Sequence, residues 1–379
     1  MHLASKTLMP YLLAYADTAH ATSDHATASV LLRGYLIAWL FWLGISLGSC
    51  ALTWLHNLTG GKWGKAIRLE LAAAGQVLPL LAIGVIPILM NLPQLYEWAR
   101  PEVVAHDALL QKKTGWLNPT FFVVRTVAYF VLWIGLGMAV TRLRRKAHAN
   151  PTFETEHGLR FYSAMAIVAY GLSITLASVD YSMSLEPHWY SGIYGVIYMV
   201  SQALAGLAFA VAAAAPRSEA KDPAPFAKRD LGNLMMAFTM LWTYMNLSQF
   251  LIIWMGDLPE ENVWYLHRLD PTTGGWQWLA LVLIFFGFAA PFMTLLSSAV
   301  KENRKFIGFV AMWVVVLRWF DIVWNVEPAF SKFDASTLTS HAVVAAAMGA
   351  VWLVVFLWRR GALKNEFPFE PTVAVEGHH

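Results

Sequence analysis

The chain has 379 residues, 58% of them hydrophobic and only 13% charged, with a net charge of +3 and a mean hydropathy of +0.49. Soluble domains carry about 25% charged residues, so this composition excludes a soluble enzyme and a disordered protein. One cysteine, Cys50, cannot hold an iron–sulfur cluster, which takes about four thiolates, and the small net charge gives nucleic-acid binding no support. Lipid admits only spans whose backbone bonds close internally. The expected fold is therefore an all-α integral membrane protein.

Residues 1–30 read as an N-terminal surface or periplasmic arm. Within it, Leu8 to Ala16 is too short to span and contains Pro10. Lys6 before it and Ala14-Tyr15-Ala16 at its end also allow a weak signal-like segment. Nine apolar segments follow, near 31–55, 70–91, 119–140, 160–182, 191–215, 231–255, 276–299, 305–326 and 338–358. Each approaches the roughly 20 residues a membrane helix needs.

Basic residues set the expected orientation. The loops after the first, third, fifth and seventh segments, with the tail, hold most of the 27 basic residues. Among them are Lys62, Arg68, Arg142, Lys146, Arg217, Lys221, Arg229, Lys301, Arg304, Arg359 and Lys364. By the positive-inside rule the N-terminus is expected outside and the C-terminus inside. The opposite loops are acidic and rich in tryptophan, which suits an interfacial belt and equally a docking face for partners.

Landmarks recur four segments apart. Asn91-Leu92-Pro93 follows the second segment and Asp257-Leu258-Pro259 the sixth. Gly115-Trp116 precedes the third, and Gly275-Trp276 the seventh. Asp180 leads to Glu186-Pro187 with the spacing that takes Asp321 to Glu327-Pro328. Two parallel four-helix bundles follow, expected over 70–228 and 229–360, with a peripheral helix and loop over 31–69 and a tail over 361–379.

Charge inside hydrocarbon costs about 2.5–3.5 kcal/mol on insertion scales, so such residues pair or line cavities. Arg125, Asp180, Arg318 and Asp321 are expected at similar depth, as a structural ion-pair network or as a proton-handling site. Tyr244 and Gln249 in the sixth segment and His341 at the start of the ninth extend that candidate path. Glu70 and His56 form a candidate entrance at the other end, or are ordinary interface residues. Glu186, His188 and Tyr190 carry donors and acceptors for a quinone headgroup; a turn in the tryptophan belt is the plainer reading. Haem b needs histidine pairs on facing helices, and of the 12 histidines none falls mid-segment. No lysine lies in an apolar segment for a retinal Schiff base, and no glycine-rich nucleotide loop is present.

His56-Asn57-Leu58-Thr59-Gly60-Gly61-Lys62-Trp63, Pro93 to Pro101, Asp180 to Ser191, and Ser248-Gln249-Phe250 through Arg268 resemble one family. It is the ActF subunit (quinone-binding subunit 2) of alternative complex III, a quinol:cytochrome c oxidoreductase, within the NrfD-like (polysulfide reductase membrane subunit) class. The resemblance runs from about residue 31 to 358. It implies two four-helix bundles and no redox centre or metal in this chain. It also implies an ActC-like membrane subunit with the better-supported quinol site, an iron–sulfur subunit, c-type haem subunits, and a terminal oxidase as a candidate partner. Lipid or quinone is the remaining expected ligand, and assisted proton movement the expected role. Relatives often have ten spans, with one more before the first found here, and residues 1–30 are too polar and short for it. A secondary transporter or channel, and a purely structural membrane anchor, stand as alternatives.

Overall fold

A computed structural model of the chain describes residues 29–216, 227–270 and 275–366. The N-terminal arm, Arg217, Lys221 and the tail beyond 366 lie outside the described residues. Among the described residues the structure is 87% helix without strands, as an all-α membrane protein requires. Nine helices there are long and apolar enough to cross a membrane. They are α1 (Val30–Thr59), α2 (Lys62–Met90), α3 (Pro119–Ala149), α4 (Phe153–Leu185), α5 (Tyr194–Ala214), α6 (Lys228–Gly256), α7 (Gln277–Leu296), α8 (Arg304–Ala329) and α9 (Ala335–Lys364).

Several helices outrun their apolar segments. α3 carries Arg142 to Lys146 in its last turns, and α4 begins at Phe153, before Glu154 and Glu156. Charged residues with good helix propensity continue a helix beyond the lipid, so hydropathy finds only its middle. The starts are chemically marked. The Ser29 side chain accepts from Leu32 N, and Asn118 accepts from Phe121 N with Pro119 in the first turn. Thr152 and Thr155 form a reciprocal capping box at α4. Each satisfies donors a helix start leaves open. In α2, the α-helical ladder is interrupted around Gln76, Val85 and Asn91, close to Pro79, Pro87 and Pro93. Proline has no N–H to give to the ladder.

The helix expected at the periphery is at the centre. In α1 and in α5, 83% of the apolar window is buried, against 28% in α9. α1 packs against α2, α4, α5 and α9, while α5 packs against α1, α4, α6 and α8. The bundles are therefore α1–α4 and α5–α8, joined through α1 and α5, and the peripheral helix is α9, which lies on α1 and α2. The repeated landmarks fit either frame, since each is four helices from its counterpart. Only packing chooses between them. The join is made by small residues. A Cβ on Gly48 would fall 1.8 Å from the Gln202 carbonyl oxygen, and one on Gly206 would fall 2.6 Å from Ser49 N. Such contacts let two backbones meet where lipid provides no hydrophobic drive.

Helix α7 has a π-helical stretch, Leu283–Ala289. There N–H groups reach five residues back, as Ala290 N does to Phe285 O. Pro291 has no N–H, so the Phe286 carbonyl loses its ladder donor; Trp313 Nε1 supplies one at 3.0 Å.

Candidate functional site

Each bundle carries an acid–base pair on the aspartate of its repeated landmark, and the pairs differ in build: Arg125 reaches Asp180 from α3, whereas Arg318 and Asp321 share α8. In the first bundle, Arg125 donates from Nε to Asp180 Oδ2 and from Nη2 to Oδ1, each at 2.8 Å. Tyr129 OH adds 2.8 Å to Oδ2 and Trp116 Nε1 adds 3.0 Å to Oδ1. All four acceptor positions of the carboxylate are then used. The Arg125 guanidinium also gives Nη1 to the Trp116 carbonyl and lies 4.2 Å from the Trp116 ring and 4.3 Å from the Phe121 ring. Asp180 is 1% exposed. This is a closed, fully satisfied pair.

In the second bundle, Asp321 Oδ2 accepts from Ser201 Oγ at 2.8 Å and from Arg318 Nη1 at only 3.3 Å. The Arg318 guanidinium lies 3.7 Å from the Trp242 ring centre. Its Nε and Nη2 are buried and meet no acceptor among the described residues. Nη2 faces Gly287, where a Cβ would stand 3.5 Å away. Gly287 belongs to the π-helical stretch of α7. A buried guanidinium with two open donors, beside a sparsely bonded carboxylate, is an arrangement that can exchange partners.

The pairs are not one network of ions, but hydroxyls lie between them. Ser182 Oγ and Tyr194 OH are 2.7 Å apart, Tyr194 OH reaches Asn325 Oδ1 at 3.3 Å, and Asn325 Nδ2 donates to the Asp321 carbonyl at 2.7 Å. Ser182 follows Asp180 by two residues at the end of α4.

Two further clusters join elements at the tryptophan-rich end, and each centres on the glutamate of a Glu-Pro landmark. Glu186 accepts from Arg268 Nη2 at 2.7 Å and contacts His267 Nδ1 at 3.1 Å. Arg268 is 0% exposed, lies 3.7 Å from the Trp264 ring centre, and gives Nε and Nη2 to the Trp324 and Asn325 carbonyls of α8. Trp264 in turn stacks on Trp189 at 4.9 Å. Burial would raise the Glu186 carboxyl, but Arg268 and His267 outweigh it and hold the group at about 2. Glu327 accepts from Arg33 Nη1 at 3.2 Å, Ser331 Oγ at 2.8 Å and His341 Nε2 at 2.9 Å. That ties α8 to α1 and α9.

Other expected site residues are dispersed. His56 contacts the Gly61 carbonyl at 3.2 Å and packs edge-on to Trp63, whereas Glu70 pairs with Arg360 of α9 at 3.2 Å. They form no joint entrance: His56 folds back on its own turn, and α9 supplies the cation for Glu70. His188 pairs with Asp107 at 2.7 Å, Tyr190 is 62% exposed, and Glu186 faces Arg268. Those three do not converge on one headgroup position. Gln249 accepts from Ser191 Oγ at 2.7 Å and donates to Tyr265 OH at 3.2 Å. Tyr244 is exposed on α6. His341 belongs to the Glu327 cluster.

Sequence reasoning missed Arg33, Ser201, His267, Arg268 and Glu327 as site residues. Glu327 had a signal: the duplicated spacing makes it the counterpart of Glu186, and a buried glutamate needs a cation. Arg33, at the first turn of α1, had none.

Between α2 and α3 lies an apolar groove of about 560 Å3, lined by Val85, Leu89, Thr126, Phe130 and Ile134 among others. Thr126 accepts from Tyr181 OH at 3.0 Å, next in sequence to Asp180. Among the described residues no group of three or more histidine, cysteine, aspartate or glutamate side chains is placed to hold a metal ion. Compared with known proteins, the chain matches no family model and no curated protein.

Proposed function

We propose that this chain is a cofactor-free membrane subunit of a quinol-oxidising complex of the alternative complex III type, scaffolding its partners and supplying a proton path. The partners would be an ActC-like membrane subunit and iron–sulfur and c-haem subunits on the periplasmic face. The basic end would face the cytoplasm of a bacterial inner membrane, following the lysine and arginine bias. The observation that carries the proton role is Arg318, buried with two open donors beside Asp321 and the π-helical stretch of α7. A carboxylate with few bonds can take a proton when its cationic partner turns elsewhere. Asp180, filled by four donors, serves instead as a fixed part of the bundle.

The test is purification from the native membrane in mild detergent, with partner identification and a haem and iron assay. Co-purifying haem and iron–sulfur subunits with quinol:cytochrome c activity support the reading. Asp321→Asn is then expected to lower proton release per quinol oxidised while the complex stays assembled. Unchanged turnover and proton release in both Asp321→Asn and Asp180→Asn complexes would remove the path. A chain that emerges alone and takes up a solute in liposomes would make it a transporter. An accessory quinone site is a second reading, favoured by the apolar groove between α2 and α3, which suits an isoprenoid tail.

A further inference from the structure

The middle of α6 carries Thr239, Thr243, Tyr244, Asn246, Ser248 and Gln249. Among the nine spanning helices of the described residues it is the least apolar, yet it is also the least covered, with 22% of its apolar window buried. α7 and α9 come next in exposure, each 28% buried, and they are the two most apolar. Theirs is the order that lipid imposes, because hydrocarbon gives a polar group nothing to bond. α6 reverses it.

Most of these polar groups are satisfied within the protein. Thr239 Oγ1 donates to the Met235 carbonyl at 2.8 Å, Thr243 Oγ1 to the Thr239 carbonyl at 2.9 Å, and Asn246 Nδ2 to the Trp242 carbonyl at 2.9 Å. Gln249 is buried on Ser191 and Tyr265. Tyr244 is the exception. It is 63% exposed, and its hydroxyl meets no acceptor among the described residues. It stands near the middle of Lys228–Gly256. At 1.5 Å per residue, about 18 Å of helix separates it from one end and about 24 Å from the other. Both distances exceed the reach of its side chain, so it is not part of an interfacial aromatic belt.

The exposed face has the form of a seam. Met240, Tyr244, Leu247 and Leu251 are all exposed and follow at steps of four, three and four, the spacing with which one helix meets another along its length. α5, α7 and α8 pack on the remaining sides of α6. We propose that this stripe docks a transmembrane helix of another membrane protein, which sets a carboxamide or hydroxyl oxygen against the Tyr244 hydroxyl. Side-chain hydrogen bonds of this kind join helices within lipid. A second copy of this chain supplies the wrong chemistry. Across a two-fold axis the two Tyr244 hydroxyls would meet each other, and one O–H would stay open. The surface does not depend on the quinol or proton reading.

The experiment is site-specific photocrosslinking of the full chain in its native membrane. The photoreactive residue p-benzoylphenylalanine replaces Leu251 in the stripe or, as a control, Leu172 on the exposed face of α4, and the crosslinked peptides are identified by mass spectrometry. Position 251 should give one adduct, within a spanning segment of one other chain, and position 172 should give none. Tyr244→Phe, which removes only the hydroxyl, should lower the yield at 251 about threefold, with an unchanged melting temperature showing that the variant is folded. Adducts with lipid alone at 251 overturn the docking surface. Adducts with this same chain, within one copy or between two, overturn the assignment to another protein. An undiminished yield in Tyr244→Phe overturns the hydroxyl as the contact. Haem and iron–sulfur subunits that co-purify while position 251 reaches only lipid would leave the proposed function standing and remove this surface alone.

Discussion

Asp180 and Asp321 stand at equivalent places in the two bundles, yet their surroundings assign them different work. Asp180 is gripped by Arg125, Tyr129 and Trp116; Asp321 holds Ser201 and a longer contact to Arg318. Removing one charge of a buried pair leaves the other uncompensated, at about 3–5 kcal/mol. Asp180→Asn is therefore expected to lower the unfolding midpoint in detergent markedly more than Asp321→Asn does. Equal losses would show that Asp180 is not a structural lock. Glu186 gives a pH prediction. Its carboxyl is lowered from 4.5 to about 2, because Arg268 and His267 outweigh burial. A lowered carboxyl contributes stability above its unfolded value, and that stability is lost as pH falls through its folded value. Between pH 5 and pH 2 the protein should lose about 2–3 kcal/mol from this group. Arg268→Gln should flatten that part of a melting-temperature profile.

At the scale of elements, the contact between α1 and α5 is the most sensitive feature. Gly48 and Gly206 bring two backbones to a separation that no side chain fits, with the Gln202 carbonyl 1.8 Å from where a Cβ on Gly48 would stand. Gly48→Val must push the bundles apart and is expected to abolish a monodisperse product in size-exclusion chromatography. Gly137→Val, on α3 where a Cβ meets nothing within 4 Å, should be tolerated. The π-helical stretch of α7 is the other unusual element. Pro291 and Trp313 make it consistent, one by withholding a donor and the other by supplying it. It could not be read from composition, because a proline in an apolar segment is compatible with a kink, a break or a π turn.

For the whole molecule, the join between bundles also runs through Arg268, which links the loop after α4 to the end of α8. Arg268→Gln should leave both bundles folded and loosen their seam. Hydrogen exchange should rise around residues 186–189 and 324–327 while the centres of α1 and α5 stay protected. Uniform protection in the variant would place the strength of the seam in the helix contacts alone.

The sequence by itself determined the class, the nine spans, the duplicated order of landmarks and the intramembrane charges. These follow from local requirements: enough apolar residues to cross lipid, and a side chain's preference for water or hydrocarbon. The pairing Arg318–Asp321 was legible too, since residues three apart share a helix face. Tertiary structure decided the rest. It placed α1 at the centre and α9 outside, because the landmarks repeat every four helices and fit two frames equally well. It separated Glu70 from His56 by bringing Arg360 to the glutamate from the far end of the chain. It also gave Asp180 four donors and left Arg318 with two unused, since hydrogen-bond saturation depends on which helices meet, which spacing along one chain does not reveal.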